Sequence, residues 1–229
     1  MRHSGKALRS ALKLIFWTLV AVGAVSLAGI LATVLGALLT ALTFGLILVW
    51  LAFACFTLYF FRDPTAHPPS GANLVVSPAH GTVDIIDQVT EPKFMEGACH
   101  RISIFLSVIN VHVEKAPVSG KIVFLQHNPG QFLSALKAAE CAAHNENVLI
   151  GIDSTETPGE KIGVRLIAGV LARRIIPWVK IGDEVARGER ISLIQFGSRC
   201  DLYLPLRYKI QVKLGDKMIG GETIMATKS

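Results

Sequence analysis

A long stretch without charge near the N-terminus constrains this chain more than any other feature. From Leu14 to Phe61 no residue is charged. The stretch is too long for one ordinary membrane span and suits two spans of roughly 20 residues each. We therefore predict a transmembrane hairpin of two helices over residues 14–61, with helices at 14–35 and 38–61 and a turn near Gly36. No loop residues mark the turn, so a single tilted helix with a buried extension stays open as an alternative.

The flanking charges predict the orientation of this anchor. Residues 1–13 form a basic N-terminus, with Arg2, Lys6, Arg9 and Lys13, and basic flanks tend to stay in the cytoplasm. Two spans return the chain to the same side, so we expect a cytoplasmic domain at the inner (cell) membrane. The net charge of +6 suits anionic membrane lipids as partners. No nucleic-acid recognition motif accompanies it, so no nucleic-acid partner is predicted.

Beyond the anchor, the pattern is that of a mainly β (α+β) domain. A proline-containing linker covers residues 62–73, and the domain covers residues 74–229. One helix is predicted over 131–143, which is rich in good helix formers. Short apolar runs with period two predict strands, at 74–76, 82–86, 101–106, 118–125, 148–152, 162–167 and 191–194. The four cysteines form no closely spaced pair, which argues against a disulfide framework and a metal site.

A weak internal repeat refines the prediction of the fold. Residues 77–83 and 116–122 both read small-Pro-x-x-Gly-x-aliphatic, and residues 179–191 are similar to the paired strands of biotinyl and lipoyl carrier domains. Together these segments predict a domain like a barrel-sandwich hybrid. One function that such a fold could serve is that of a membrane-anchored carrier or adaptor. The tip lysine that carriers modify is missing, which argues against that function.

A Gly-Ser pair near the C-terminus is the strongest candidate for chemistry. Gly197 and Ser198 lie between two strand-like runs, and glycine accepts backbone angles that other residues avoid. If the Ser198 hydroxyl attacks the Gly197 carbonyl, the peptide becomes an ester. Elimination then breaks the chain, and hydrolysis leaves a pyruvoyl group. Turn statistics alone favour a simpler interpretation, a β-turn with a polar tip.

Several ordered blocks of residues resemble a known family. They run from the end of the apolar stretch to the Gly-Ser pair: Phe60-Phe61-Arg62-Asp63-Pro64, Val76-Ser77-Pro78-Ala79-x-Gly81, Phe105-Leu106-Ser107-x-x-Asn110-Val111-His112-Val113, Ala116-Pro117 with Gly120, Pro129-Gly130-x-Phe132-Leu133, Ile167-Ala168-Gly169-x-x-Ala172-Arg173-Arg174-Ile175 and Phe196-Gly197-Ser198-Arg199-x-Asp201-x-Tyr203-Leu204-Pro205. On these blocks the chain resembles the short, bacterial and archaeal form of phosphatidylserine decarboxylase.

The resemblance implies a zymogen that cuts itself between Gly197 and Ser198. Residues 1–197 would form the large chain and residues 198–229 the small chain, held as a heterodimer that itself could form a homo-oligomer. Ser198 would become a covalent pyruvoyl group, the cofactor of the reaction. Through a Schiff base, this group would convert phosphatidylserine to phosphatidylethanolamine with loss of carbon dioxide.

The resemblance also assigns roles to two histidines. His112 matches the family histidine of the proton step, and we expect it to protonate the reacting carbon. His80 stands where the family usually has an aspartate that helps Ser198 during self-cleavage. It could replace that base, aided by water or by a carboxylate such as Asp84. The alternative is a relative that never matures and only binds anionic lipid.

Overall fold

The computed structural model describes residues 6–136, 138–170, 174–195 and 197–228. The described part leaves out residues 1–5 of the basic N-terminus. It also leaves out residues 171–173 and Phe196, which belong to the blocks quoted above. The chain divides into two compact units, residues 1–57 and residues 58–229. Each unit is described by itself below.

The apolar stretch forms one continuous helix, α1 (Lys6–Phe60), of 55 residues. The predicted break near Gly36 is not present, so the two-helix hairpin is not confirmed. The physical reason lies in the sequence, because no proline occurs between residues 14 and 61. A single glycine costs a helix only about 1 kcal/mol relative to alanine. The residues from Leu12 to Phe60 are apolar enough to cross a membrane, by length and composition.

Residues 58–229 are mainly β, as predicted, and their described part holds one short helix besides the last turn of α1. The strands are β1 (Leu74–Val76), β2 (Gly81–Glu91), β3 (Gly97–Leu106), β4 (Val113–Lys115), β5 (Gly120–Asn128), β6 (Asn147–Ser154), β7 (Lys161–Ala168), β8 (Ile175–Pro177), β9 (Glu184–Val185), β10 (Arg190–Ile194), β11 (Ser198–Pro205), β12 (Tyr208–Ile210), β13 (Lys217–Met218) and β14 (Ile224–Lys228). An eight-stranded sheet has the order β13-β2-β3-β11-β7-β6-β5-β9. Two three-stranded sheets have the orders β1-β14-β12 and β4-β10-β8.

All seven predicted strands are present, but the predicted helix is shorter. Helix α2 covers only Ala138–His144. The segment before it is held in another way, because the side chain of Asn145 accepts a hydrogen bond from the Leu133 amide at 2.8 Å and donates one to the Leu133 carbonyl at 2.9 Å. Gln131 also forms an isolated bridge with Asn145. These contacts satisfy backbone groups that a longer helix would have used.

The weak repeat in the sequence corresponds to a repeat in the structure. Gly81 and Gly120 each begin a strand, and a Cβ atom on either would lie 2.3 or 2.4 Å from a neighbouring carbonyl oxygen. Each strand then carries a bulge at the same offset, between Val83 and Ile85 in β2 and between residues 122 and 124 in β5. The domain therefore contains two equivalent strand starts, each with a glycine followed by a bulge. The predicted barrel-sandwich hybrid is not confirmed by this repeat.

A second pair of similar segments packs against these two strand starts, and only the first of them, within residues 179–191, was predicted from the sequence. Residues 179–185 read VKIGDEV and residues 212–218 read VKLGDKM. The amide of Gly182 donates to the Ile122 carbonyl, and the amide of Gly215 donates to the Val83 carbonyl, both at 2.8 Å. Short strands β9 and β13 then cap the two ends of the large sheet.

Candidate active site

Strand β11 places Ser198 in the interior of the domain. Ser198 pairs with Leu106 on β3 and with Ala168 on β7. It is the first residue of the strand, so the Gly-Ser pair is not the tip of an exposed turn. The side chain is 0% exposed, and its Oγ has no hydrogen-bond partner among the described residues. A buried hydroxyl without a partner is costly, which marks this position as unusual.

Gly197 has a backbone conformation that favours glycine. Its φ is +67°, in the left-handed region that other residues rarely adopt. Its carbonyl oxygen lies against Gly169, where a Cβ atom would be only 2.3 Å away. The bond predicted to break thus follows a glycine with a left-handed backbone conformation and precedes a strand that is paired on both sides.

His112, the residue just before β4, contacts the amide of Gly197, which belongs to the peptide bond preceding the Gly-Ser bond. Its Nε2 accepts a hydrogen bond from the Gly197 amide at 3.2 Å. Its Nδ1 lies 2.9 Å from the Asn110 carbonyl oxygen, which can only accept, so Nδ1 carries the proton. The ring packs against the ring of Phe60 with centroids 4.5 Å apart. The contacts define a neutral imidazole in one tautomer.

The surroundings keep His112 neutral. Burial lowers the pKa of His112 to about 4, and the positive charge of Arg62 acts in the same direction. Glu114, two residues away, does not oppose this with a carboxylate charge. Burial raises the pKa of Glu114 well above its ordinary value, and neither of its oxygens has a hydrogen-bond partner among the described residues.

His80 lies in the same neighbourhood but makes no hydrogen bond to Ser198 in the described part of the chain. Its Nε2 is buried and has no hydrogen-bond partner there. Burial lowers the pKa of His80, and the charges of Lys115 and Arg62 lower it further. His80 in turn contributes to the low pKa of His112. The side chain is therefore a neutral imidazole with a free nitrogen.

Asp84, suggested by the sequence as an aid to His80, is engaged elsewhere. Its carboxylate accepts hydrogen bonds from the Arg199 guanidinium at 2.8 and 2.6 Å. Arg199 follows Ser198 directly, is 1% exposed and also donates to the Ala135 carbonyl at 3.1 Å. Asp84 thus fixes the strand just beyond the Gly-Ser bond, and the expectation that it supports His80 is not borne out by its contacts.

An apolar pocket of about 240 Å³ opens beside Gly197. Its wall includes Val108, Ala135, Leu136 and Val170. The sequence blocks contain no signal for it, since these residues lie on three separate loops that only the fold brings together. The pocket can hold an apolar group next to the bond.

These elements can support one kind of chemistry, attack of a hydroxyl on the preceding carbonyl. Ser198 supplies the hydroxyl, His112 contacts the preceding residue through Nε2, and His80 is a second neutral imidazole near His112. The structure brings together Gly197, Ser198 and His112 by direct contact or chain adjacency and places His80 nearby. Sequence reasoning gave no role to Gly169, Asn110 or Arg199, although all three occur in the quoted blocks.

The sequence matches the phosphatidylserine decarboxylase family over residues 53–226. It is 43% identical over 177 residues to the phosphatidylserine decarboxylase proenzyme of Desulfotalea psychrophila, covering 77% of this chain and 81% of the relative. It is 44% identical over 181 residues to the proenzyme of the same name from Gluconobacter oxydans, covering 77% and 78%.

The chain belongs to the phosphatidylserine decarboxylase family. It is an enzyme of that family, a lyase, and its relatives carry the word proenzyme in their names.

Proposed function

We propose that this chain cuts itself between Gly197 and Ser198 and then decarboxylates phosphatidylserine to phosphatidylethanolamine. The observation that carries the proposal is the state of Ser198. Its hydroxyl is buried and without a hydrogen bond among the described residues, directly after a glycine with φ of +67°. A hydroxyl in that state loses little by turning toward the neighbouring carbonyl.

Self-cleavage needs a hydroxyl, a carbonyl and a route for protons. The Ser198 Oγ attacks the Gly197 carbonyl carbon, the C–N bond breaks, and the nitrogen receives a proton, which leaves an ester. Removal of the Cα proton of Ser198 then expels the Gly197 carboxylate and leaves dehydroalanine. Water replaces the nitrogen, ammonia leaves, and a pyruvoyl group remains at the new N-terminus.

The two histidines divide the proton transfers in this proposal. His80 acts as the base toward Ser198, because its free Nε2 is neutral and desolvated. His112 first positions the Gly197 amide through Nε2. A histidine in place of the family's usual aspartate can accept a proton, although it supplies no fixed negative charge.

The residues present fit a pyruvoyl group at position 198, since Ser198 is fully buried, Gly197 has a φ of +67° and the neutral imidazole of His112 contacts the Gly197 amide. When formed, that group supplies an electrophile that accepts electrons as carbon dioxide leaves. His112 contacts Gly197, the residue before position 198. Its Nε2 would take up a proton from water and pass it to the reacting carbon of the substrate. The apolar pocket of about 240 Å³ beside Gly197 would accept uncharged parts of a lipid.

The intact mass of the purified full-length protein under denaturing conditions tests the proposal. We expect two species, of residues 1–197 and 198–229, the small chain being lighter by one ammonia than its sequence requires. The Ser198→Ala variant should give one full-length species. A single full-length species for the unaltered protein would contradict self-cleavage and support the alternative, a relative that does not mature.

We also propose that the apolar stretch anchors the protein in the inner membrane, with the enzyme domain in the cytoplasm. The apolar part of α1 has 49 residues, a length of about 73 Å at 1.5 Å per residue. The hydrocarbon core is about 30 Å thick, so this length is enough for two crossings, provided that the helix turns within the membrane near Gly36. Membrane-impermeant thiol labelling of single cysteines at positions 4 and 70 in sealed vesicles tests this. Labelling from the same side supports two crossings, and labelling from opposite sides contradicts them.

A further inference from the structure

A second cavity lies on the opposite face of the eight-stranded sheet from the Ser198 side chain. Along β11, Cys200, Leu202 and Leu204 face the main core. Tyr203, which alternates with them, belongs to a separate apolar cluster. Tyr203 lines a cavity of about 540 Å³, and none of the residues around the Gly197 pocket contributes to it. The cavity is therefore distinct from the site described above.

Positively charged groups line this cavity in excess. Lys93, Arg101 and Arg165 contribute to its wall, against one acidic residue, Glu91. Both oxygens of Glu91 are occupied, since they accept hydrogen bonds from the amides of the following turn, residues 93–95. The carboxylate that pairs with Arg101, on Asp87, is not part of the wall.

Two of these cations have only neutral hydrogen-bond acceptors in the described part of the chain. Arg165 donates to the Asn147 side-chain oxygen at 3.1 Å and to the Ala142 carbonyl at 2.9 Å. Lys93 donates to the Asn128 side-chain oxygen at 2.8 Å. The buried carboxylate of Asp201 also acts on Arg165, but it lies outside the wall, and burial raises its pKa. The cations facing the cavity thus keep donors for an incoming anion.

From these contacts we propose that the cavity binds an organic phosphate. Arginine and lysine together suit the several oxygens of a phosphate group. The volume exceeds what a bare phosphate needs and falls in the range of small-molecule sites. Val89, Leu149 and the Tyr203 ring supply apolar wall for the remainder of the ligand. The phosphate could belong to a soluble molecule or to a phospholipid headgroup.

Calorimetric titration with glycerol 3-phosphate tests the soluble source. The full-length protein is held in nanodiscs of phosphatidylcholine. We expect saturable binding, weakened about tenfold or more by Lys93→Gln and by Arg165→Gln, as for loss of one charge-assisted hydrogen bond. Lys209→Gln, on β12, removes an exposed charge that does not line the cavity and should bind like the unaltered protein. Lys93 is exposed, so its variant should fold even if Arg165→Gln does not.

Amide hydrogen exchange tests the lipid source. Nanodiscs in which phosphatidylglycerol replaces part of the phosphatidylcholine should slow exchange in residues 91–95, and Lys93→Gln should abolish the effect. Absence of both the calorimetric signal and this protection would overturn the proposal, as would equal binding by Lys93→Gln and Lys209→Gln. Self-cleavage of the same preparations is measured in parallel, so failure of this proposal and failure of the proposed function are told apart.

Discussion

At the scale of single residues, Gly169 has a role that its type alone does not reveal. The Gly197 carbonyl oxygen occupies the space that a side chain at 169 would fill, at 2.3 Å from the position of a Cβ atom. Gly197 itself needs its left-handed φ. Two glycines therefore place the carbonyl that the proposed reaction attacks, one through its backbone angle and one through its missing side chain.

Gly169→Ala should slow self-cleavage by at least about tenfold, since even a small misplacement of reacting atoms is costly. The rate at which the small chain appears after synthesis, followed by mass spectrometry, measures the effect. Gly97→Ala is a matched control, because a Cβ atom there would meet nothing within 4 Å. Equal rates for the two variants would show that the carbonyl is not positioned by Gly169.

His112 should make the folded protein sensitive to acid. Its pKa is about 4 in the fold against an ordinary value of 6.5. Between these two values the unfolded chain binds a proton that the folded chain does not, so stability rises with pH. The part due to His112 is complete above pH 6.5 and is lost as the pH falls toward 4, up to about 3 kcal/mol.

Urea unfolding of the detergent-solubilised Ser198→Ala protein at pH 7 and pH 4.5 measures this loss in an uncleaved chain. His112→Gln in the same background should reduce the difference between the two pH values. Some difference should remain, because burial also lowers the pKa of His80. An unchanged difference would mean that His112 does not titrate as its contacts imply.

At the scale of elements, a bulge in β2 gives the two halves of the repeat different roles. Asp84 lies at the bulge between Val83 and Ile85, and bulges redirect side chains. Its carboxylate reaches past β3 to Arg199 on β11. The equivalent position in β5 is Val123, which is exposed. The repeat thus supplies a common backbone, and only the half that holds Asp84 stabilises the strand after Ser198.

Asp84→Asn should destabilise the protein by about 2 kcal/mol, because it leaves the buried guanidinium of Arg199 without its carboxylate. The partial exposure of Asp84 keeps this cost below that of a fully buried pair. Thermal unfolding and the rate of self-cleavage measure the two consequences. Asp87→Asn removes a similar partner from Arg101 on the same strand. It should cost less and leave cleavage unchanged, since that pair is more exposed. Equal cleavage by both variants would show that Arg199 needs no fixed partner.

At the scale of the whole enzyme domain, strands of the proposed small chain pair with strands of the proposed large chain. Residues 198–229 supply β11, which lies between β3 and β7 in the large sheet. They also supply β13, paired with β2, and β14, paired with β1. A chain that contributes strands to two sheets cannot leave without unfolding both.

We therefore expect the two chains to stay together after cleavage. Size-exclusion chromatography in mild detergent should elute both in one peak, and they should separate only in denaturant. Release of the small chain under native conditions would contradict the strand pairing. The uncleaved Ser198→Ala protein is the control, since it should elute in the same position.

The sequence by itself determined the family, the β-rich class and the positions of the seven predicted strands. It also predicts a membrane anchor in the apolar stretch and cleavage between Gly197 and Ser198. These follow from local patterns and from ordered blocks of residues. Tertiary structure decided the rest. It made Ser198 the buried start of a strand rather than a turn, brought His112 to Gly197, and paired Asp84 with Arg199. It also continued α1 through Gly36, because no nearby residue breaks the helix. The site contacts join residues 85 and 115 positions apart, and local periodicity cannot specify which distant side chains meet once the strands have paired.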